Sequence, residues 1–386
     1  MNSMKNSTKY LTLLSHALLR GDEITRPDGA ASEPHRGDRS VPLTDTTDDS
    51  LHDSHPDTLS NLDLKDFGEL WTLATSHHVI MRAFPHLRRV LGASGGGRTE
   101  WIDRAMDREQ TRRQHALSFL SPICQALEEA GDVVVIKSLD HWPDLGSDLD
   151  LYTNARSAEV VAIMRERFKA HVEEQSWGDR LANKWNFVIP SLPEPVEVHV
   201  ARLGQTGEQI AITRSLIARA ATAQFGFHSF KVPAPEDRMI ISTLQRMYRH
   251  FYIRVCDIVD NAKLIDAGTV DYLYLKSLTK PAGLWDGLAT YLFIISGYVK
   301  SYRGEGLILP SFVPRSARFG NETVRFKRNF LRIPIFPQAM CLYASEWKRL
   351  LLSGELQSTL RLSLLPGLAT AAALEFKITG SDKGIW

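Results

Sequence analysis

The spacing of apolar and polar residues predicts a mixed chain in which a short β-sheet lies among helices. Residues 133–136 are a run of β-branched apolar residues, which is typical of a buried strand. Upstream, apolar residues at helical spacing predict a long helix over 99–130. Downstream, strands are predicted at 148–151, 185–189 and 196–201. Because a proline-rich link joins the last two strands, we expect them to form a hairpin.

The other segments are predicted to be mostly helical. Helices are expected at 63–80, 156–174, 210–223, 236–267, 284–300, 338–353 and 355–376, with one brief strand at 227–232. The stretch 304–337 contains several prolines and basic residues, and we predict an irregular loop there. The fold class expected from this pattern is α+β.

Residues 1–58 form the one long segment that we expect to be disordered. Its part 21–58 is rich in Asp, Thr, Ser and Pro and has hardly any large apolar residue, so it cannot bury enough surface to offset the entropy of ordering. The mildly apolar stretch 10–19 lacks the features of a signal peptide and suggests a frayed amphipathic helix. The rest of the chain is divided into a helical N-terminal region at 59–98, an α/β core at 99–205 and a mainly helical C-terminal region at 206–386.

Composition narrows the class of protein only a little. The chain has 386 residues and a net charge of +1, so its charge balance gives no indication of a nucleic-acid or anionic-membrane partner. Its three cysteines lack the spacing of a metal or redox motif, as expected for a reducing compartment. No run of about 18 apolar residues predicts a membrane span. We therefore expect a cytoplasmic protein.

Two acidic residues follow the turn after the first predicted strand. Asp148 and Asp150 alternate with Leu149 and Leu151, so a strand here places both carboxylates on one face. Adjacent carboxylates repel and raise one another's pKa unless a cation lies between them. Oxygen-rich sites of this kind suit Mg²⁺. An isolated pair of this type is more often a solvated strand edge.

A second alternating segment supplies a third acid. Residues 195–200 have the sequence Pro-Val-Glu-Val-His-Val, in which Glu197 and His199 share the polar face. The predicted hairpin would place Glu197 beside the strand at 148–151. His199 could orient Glu197 or contact a phosphate, or it could be a packed, hydrogen-bonded histidine.

This arrangement resembles the DNA polymerase β-like nucleotidyltransferases, and most closely a bacterial family of uncharacterised nucleotidyltransferase-like proteins. The resemblance covers about residues 61–266 and rests on a helical segment, a helix ending in glycine before a strand ending in Leu-Lys-Gly, the paired-acid strand and a later acid-apolar-His sequence. The matching segments here are 67–78, 127–131, 136–138, 147–151 and 197–199. Where the family has glycine after the lysine, this chain has Ser138.

The resemblance implies a small mixed β-sheet core and a Mg²⁺-dependent transfer of a nucleoside monophosphate from an NTP such as ATP to a hydroxyl. The acceptor would belong to a sugar, a small molecule or a protein. Two Mg²⁺ ions, or Mn²⁺ in their place, would be held by the catalytic acids Asp148, Asp150 and Glu197. The residues implied in nucleotide binding are Lys137, Ser138 and Arg254, with His199 and Asp257 in support.

Several alternatives remain open from the sequence. A non-catalytic nucleotide- or partner-binding protein could retain the fold, and Ser138 in place of glycine favours this alternative because glycine lets the backbone approach phosphates closely. A toxin–antitoxin component that modifies its partner is a third possibility. Lys137 could be a surface lysine, and Arg254 and Asp257 could form an ion pair within one helix.

Overall fold

The computed structural model describes residues 2–20, 62–92 and 96–371. Its helices are α1 Asn2–Leu19, α2 Leu64–Ser76, α3 Ile80–Leu91, α4 Gly97–Glu128, α5 Ser157–Phe168, α6 Trp177–Ala182, α7 Ile210–Ala218, α8 Pro235–Thr243, α9 Val255–Asp266, α10 Tyr272–Thr279, α11 Trp285–Arg303, α12 Met340–Leu352 and α13 Leu356–Ser363. Its strands are β1 Val133–Val135, β2 Leu149–Thr153, β3 His171–Val172, β4 Lys184–Val188, β5 Val196–Val200, β6 Ala221–Phe225, β7 His228–Val232, β8 Tyr252–Ile253, β9 Arg325–Lys327 and β10 Phe330–Arg332. Short π-helical segments lie at Leu244–His250 and Ile335–Ala339, and single 3₁₀ turns at Pro314–Ser316 and Asn321–Thr323.

A five-stranded sheet forms the centre of the α/β region, in the order β1-β2-β5-β4-β3. β2 and β5 run parallel, with Asp150 opposite Glu197, whereas β4 and β5 form the predicted antiparallel hairpin. One face of this sheet packs against buried side chains of α4, including Leu120 and Leu127. The prediction of a mixed α+β fold with a small sheet is confirmed, and all five strands lie within residues 99–205.

The first helix contradicts the prediction that residues 1–58 are disordered. In α1, Leu14 is fully buried in the main hydrophobic core. The Tyr10 hydroxyl donates to Asp66 at 2.5 Å, and the hydroxyls of Ser15 and Tyr298 are 2.7 Å apart. The prediction is therefore wrong for residues 2–19, because the apolar face of this helix has partners far along the chain. Residues 21–58 lie outside the described residues.

The predicted helix at 236–267 is interrupted in the structure. After α8 the chain forms the π-helical segment Leu244–His250, turns at Phe251 with a φ of 54°, and forms β8 before α9 begins. β8 pairs with β10, and β10 pairs with β9, so the predicted irregular loop at 304–337 contributes two strands to a small sheet. Because of this interruption, the side chains of α8 and α9 do not lie on the faces of one continuous helix.

Two other helix predictions are too long, and a third helix is described only in part. The helix predicted at 156–174 ends at Phe168 and is followed by β3. The helix predicted at 210–223 ends at Ala218, and the chain then forms the β6–β7 hairpin. The helix predicted at 355–376 is described to residue 371, with a turn after Ser363. Among the helices that the structure describes, none has the length and apolar character needed to cross a membrane.

Candidate functional site

The predicted acids converge at one end of the parallel strand pair. Because Asp150 and Glu197 are register partners on β2 and β5, their side chains leave the sheet on the same face. Donor atoms of Asp150, Glu197 and His199 all lie within 4.8 Å of one another. Asp148 lies outside this group but lines the same cleft. The structure therefore brings Asp150 and Glu197 together with His199, whereas Asp148, the other acid of the predicted set of three, is not part of this group.

Lys137 lies between the two central carboxylates. The Ile136 N–H donates to the Asp150 carbonyl at 3.0 Å, so the chain leaves β1 beside Asp150, and Lys137 then adopts a left-handed conformation with a φ of 60°. Its Nζ forms an ion pair with Asp150 Oδ1, lies 3.2 Å from Glu197 Oε1 and is 3.4 Å from His199 Nε2. Burial opposes the charged form, but Asp150 and Glu197 outweigh it and raise the pKa of Lys137. Lys137 is an internal cation and not a surface lysine.

Glu197 has cations on both sides. Lys184 Nζ lies 3.0 Å from Glu197 Oε2 and 2.8 Å from Asp179 Oδ1, opposite the contact with Lys137. His199 Nε2 is 2.7 Å from Glu197 Oε1. Burial alone would raise the pKa of Glu197, but Lys137 and Lys184 outweigh it and hold this pKa well below its ordinary value. Glu197 is therefore ionised at neutral pH, and of the roles left open for His199 the structure shows a contact with this carboxylate.

Asp148 differs from its two acidic neighbours. Within the described parts of the chain, its carboxylate forms no hydrogen bond and no ion pair. Burial, followed by repulsion from Asp150 and Glu197, raises the pKa of Asp148 to about 6. Asp148 is thus a carboxyl group at the cleft without a cation partner.

Ser138 holds the loop after β1 in place. Its hydroxyl donates to the Asp148 carbonyl oxygen at 2.9 Å and accepts from the Asp150 N–H at 2.6 Å. Its own N–H donates to the Ile136 carbonyl at 2.6 Å, and the residue is 1% exposed. The N–H and the hydroxyl of Ser138 are the groups that could contact a phosphate, and both are engaged within the chain. Ser138, which stands where the resembling family has glycine, therefore joins this loop to β2.

Arg254 and Asp257 lie at the start of α9, and Arg254 is near enough to Asp148 to counter part of the rise in the pKa of that carboxyl. Arg254 Nη1 is 2.6 Å from His78 Nε2, and the guanidinium lies over the ring of Tyr252. Asp257 accepts from the Arg254 N–H at 2.7 Å and forms an ion pair of 2.7 Å with Arg246 Nε, in which both side chains are at most 2% exposed. The predicted side-chain pair between Arg254 and Asp257 is therefore absent from the structure described, and Asp257 stabilises the start of α9.

A cleft of 470 Å³ opens over the acids. One wall comes from the π-helical segment and includes Gln245, Arg249 and His250. Arg249 makes no hydrogen bond and no ion pair with any residue that the structure describes, so its guanidinium is available to an anion. π-Helical turns often occur at functional sites. The adjacent basic residues Arg249 and His250 were visible in the sequence, but helical periodicity could not show which face they occupy.

A second polar cluster, which the sequence analysis missed, lies behind the site. His141 Nδ1 pairs with Asp260, and His141 Nε2 is 3.6 Å from the sulfur of Cys256. Arg82 binds Asp260 at 2.5 Å and Asp144 at 3.0 Å. Because both Asp260 oxygens are engaged by His141 and Arg82, this cluster is best explained as a buried network that joins helices to the loop before β2.

The donor set at the cleft fits a hard divalent cation. It combines carboxylate oxygens with an imidazole nitrogen, and Asp148 adds a carboxyl that lacks a cation partner. Asp150 Oδ1 is buried, and the charged groups near it are the Lys137 ammonium and His199 Nε2 at 3.8 Å. The space between Asp150 and Glu197 is taken by the Lys137 ammonium, so a metal ion there requires Lys137 to move.

Comparison of the chain with models of protein families, with curated proteins and with solved structures gave no match. The geometry of the cleft and the sequence pattern of its acids are therefore the features that indicate its function.

Proposed function

We propose that the chain is a divalent-metal-dependent nucleotidyltransferase with a polymerase β-like core, which transfers a nucleoside monophosphate from an NTP to a hydroxyl group. The observation that carries this proposal is the convergence of Asp150 and Glu197 from adjacent parallel strands, with Asp148 beside them in one cleft. In a sheet with only a structural role, three buried or half-buried carboxylates facing the same space would be unfavourable, because like charges repel.

The acids would hold the metal, and the surrounding residues orient them. Asp150 and Glu197 offer oxygens from the floor of the cleft, Asp148 adds a third carboxylate, and His199 fixes Glu197 through the contact of 2.7 Å. When bound, Mg²⁺ would supply the positive charge that lowers the pKa of an acceptor hydroxyl and stabilises the leaving pyrophosphate. Ser138 keeps Asp148 and Asp150 in place through their backbone groups.

The triphosphate would lie along the basic wall of the cleft. Arg249 and His250 line this wall, and Lys137 reaches the same cleft from the end of β1. A guanidinium is a good phosphate ligand because its N–H groups form charge-assisted hydrogen bonds to phosphate oxygens. Arg249 therefore takes the nucleotide-binding role that the sequence analysis gave to Arg254, whose guanidinium is engaged with His78.

The test is pyrophosphate release from each of the four NTPs with Mg²⁺ or Mn²⁺, in the presence of cell extract as a source of acceptor. Replacing Asp150 by Asn should lower the rate by roughly a thousandfold or more, since one ligand charge is lost at the metal. Asp103→Asn is the matched control, because Asp103 belongs to an exposed pair with Arg88. A fully active Asp150→Asn protein would overturn the proposal.

A non-catalytic nucleotide-binding protein is the second candidate function. The observation that favours it is the Lys137 ammonium, which balances Asp150 and Glu197 without any metal ion. This candidate predicts that an NTP binds to the cleft with the same affinity with or without Mg²⁺ and that no pyrophosphate is released. Arg249→Ala should weaken nucleotide binding under either candidate, so metal dependence is the deciding measurement.

A further inference from the structure

The position of Lys137 bears on how a metal ion could enter the site. Its ammonium contacts Asp150 Oδ1 and lies 3.2 Å from Glu197 Oε1 and 3.4 Å from His199 Nε2. His199 Nε2 in turn lies 3.8 Å from Asp150 Oδ1 and 2.7 Å from Glu197 Oε1, and one donor atom of each residue lies within 4.8 Å of the other two. The ammonium therefore occupies the place that a divalent ion would take between the same donors.

A divalent ion and the ammonium cannot share this place. Lys184 already compensates Glu197 from the other side, at 3.0 Å from Oε2. An added ion would bring two positive charges within a few ångströms of both ammonium groups, and Coulomb repulsion at such distances is strong in a partly buried site. Lys137 must therefore leave before a metal ion can bind.

The cleft offers Lys137 a second place only when an anion is present. The opposite wall carries Arg249 and His250, and the Arg249 guanidinium makes no hydrogen bond or ion pair within the described ranges. Without an anion, the Arg249 guanidinium repels the ammonium and favours its contact with the acids. A polyphosphate bound at this wall reverses the sign of the interaction and attracts the ammonium toward it.

We infer that Lys137 is an internal counter-ion that keeps divalent metal out of the nucleotide-free site and moves to the phosphates when a nucleoside triphosphate binds. This inference rests on the proposed function and adds a regulation to it. Metal and nucleotide would then bind with positive coupling, and each would raise the affinity of the other by the same factor. The free protein would not retain a metal ion between turnovers.

The test is direct binding of Mn²⁺ to the nucleotide-free protein, measured by electron paramagnetic resonance. Lys137→Met should bind Mn²⁺ roughly tenfold or more tightly than the wild type, because the competing charge is gone. Lys137→Arg keeps the charge and should remain weak. Lys231→Met is the matched control, since Lys231 forms a partly exposed pair with Glu128 at 3.3 Å and should leave Mn²⁺ binding unchanged.

The outcomes separate this inference from the proposed function. Equal Mn²⁺ affinity in the wild type and Lys137→Met would overturn the inference and leave the metal-dependent transferase standing. If Lys137→Met binds no Mn²⁺ at all, the metal site itself is wrong and both proposals fall. Adding Asp150→Asn to Lys137→Met should abolish the gained binding, and retention of that binding would show that the ion sits elsewhere and would overturn the inference.

The wild-type protein provides a second measurement in case Lys137→Met does not fold. Because a ligand that binds only the folded state raises the melting temperature, Mn²⁺ alone should leave the wild-type melting temperature unchanged. Mn²⁺ together with the α,β-methylene analogue of ATP should raise it by more than the analogue alone does. A rise of several degrees with Mn²⁺ alone would overturn the inference.

Discussion

Asp148 and Asp150 are two residues apart at the start of β2, yet their electrostatic surroundings are opposite. Asp150 is buried against the Lys137 ammonium, whereas the Asp148 carboxylate has no cation partner in the part of the chain that the structure describes. Removing one partner of a buried ion pair costs stability because the other charge is left uncompensated, whereas neutralising a carboxylate that has no ion-pair partner removes a desolvation cost. The same substitution is therefore expected to have opposite effects at these two positions.

Asp148→Asn should raise the free energy of unfolding in metal-free buffer, and Asp150→Asn should lower it. The pKa of Asp148 is raised to about 6 in the folded state, so its neutral form favours folding, and this contribution is lost as the pH rises from about 4 through 6. At pH 7 the amide should gain roughly 1–3 kcal/mol. Asp150→Asn should lose a similar amount, roughly 1–3 kcal/mol, because the Lys137 charge stays buried with less compensation.

Urea unfolding of both variants at pH 7 and at pH 4 measures these effects. The gain for Asp148→Asn should shrink at pH 4, where the wild-type carboxyl is protonated in the folded state and about half protonated in the unfolded chain. A gain that is the same at both pH values would show that repulsion at Asp148 is not the cause.

At the scale of one element, α1 is a helix for which composition gave the wrong prediction of disorder. Its 18 residues precede a long polar stretch, and only seven of them are large and apolar. The structure places Leu14 in the core and Arg20 Nε at 2.5 Å from the Tyr302 carbonyl oxygen. These contacts join the first residues of the chain to α11, nearly 300 positions away.

Leu14→Ala should lower the free energy of unfolding by roughly 2–5 kcal/mol, since the side chain is fully buried and leaves a cavity. Thr8→Ala is the control in the same helix, because Thr8 is exposed and should change stability by less than about 0.5 kcal/mol. Thermal unfolding measures both. Removal of residues 1–20 should also lower the melting temperature markedly, and an unchanged value would contradict the packing of α1.

At the scale of the whole molecule, the buried polar network connects distant regions. Arg82 of α3, Asp144 and His141 of the loop before β2, and Asp260 of α9 form a continuous chain of ion pairs. Burial would lower the pKa of His141, but Cys256 and Asp260 outweigh it and raise this pKa to about 10. The imidazole is therefore charged at neutral pH and links the sheet region to the C-terminal helices.

His141 should make the stability of the protein fall as the pH rises. Its folded pKa of about 10 lies above the value near 6.5 expected for the unfolded chain, so its contribution is complete below pH 6.5 and is lost as the pH approaches 10. Unfolding by urea at several pH values should show a steeper decline for the wild type than for His141→Gln. Parallel pH profiles would mean that His141 is not charged in the folded state.

The sequence by itself determined strands β1, β2, β4, β5 and β7, the hairpin of β4 with β5, and the alternation of acids with apolar residues. Alternation with period two places Glu197 and His199 on one side of a strand, and a short proline-rich link folds that strand back along β4. These are local relations, and they hold wherever the sheet lies in the molecule.

Only the tertiary structure decided which charges meet. Lys137 between the acids, Arg249 on the cleft wall, Asp257 with Arg246 and Leu14 in the core all depend on contacts between separate elements. A pattern of residue types indicates the period of a helix or strand, but it does not predict the position of a π-helical turn or the partner of a buried charge. Those follow from the packing of the whole chain, where burial and pairing are settled together.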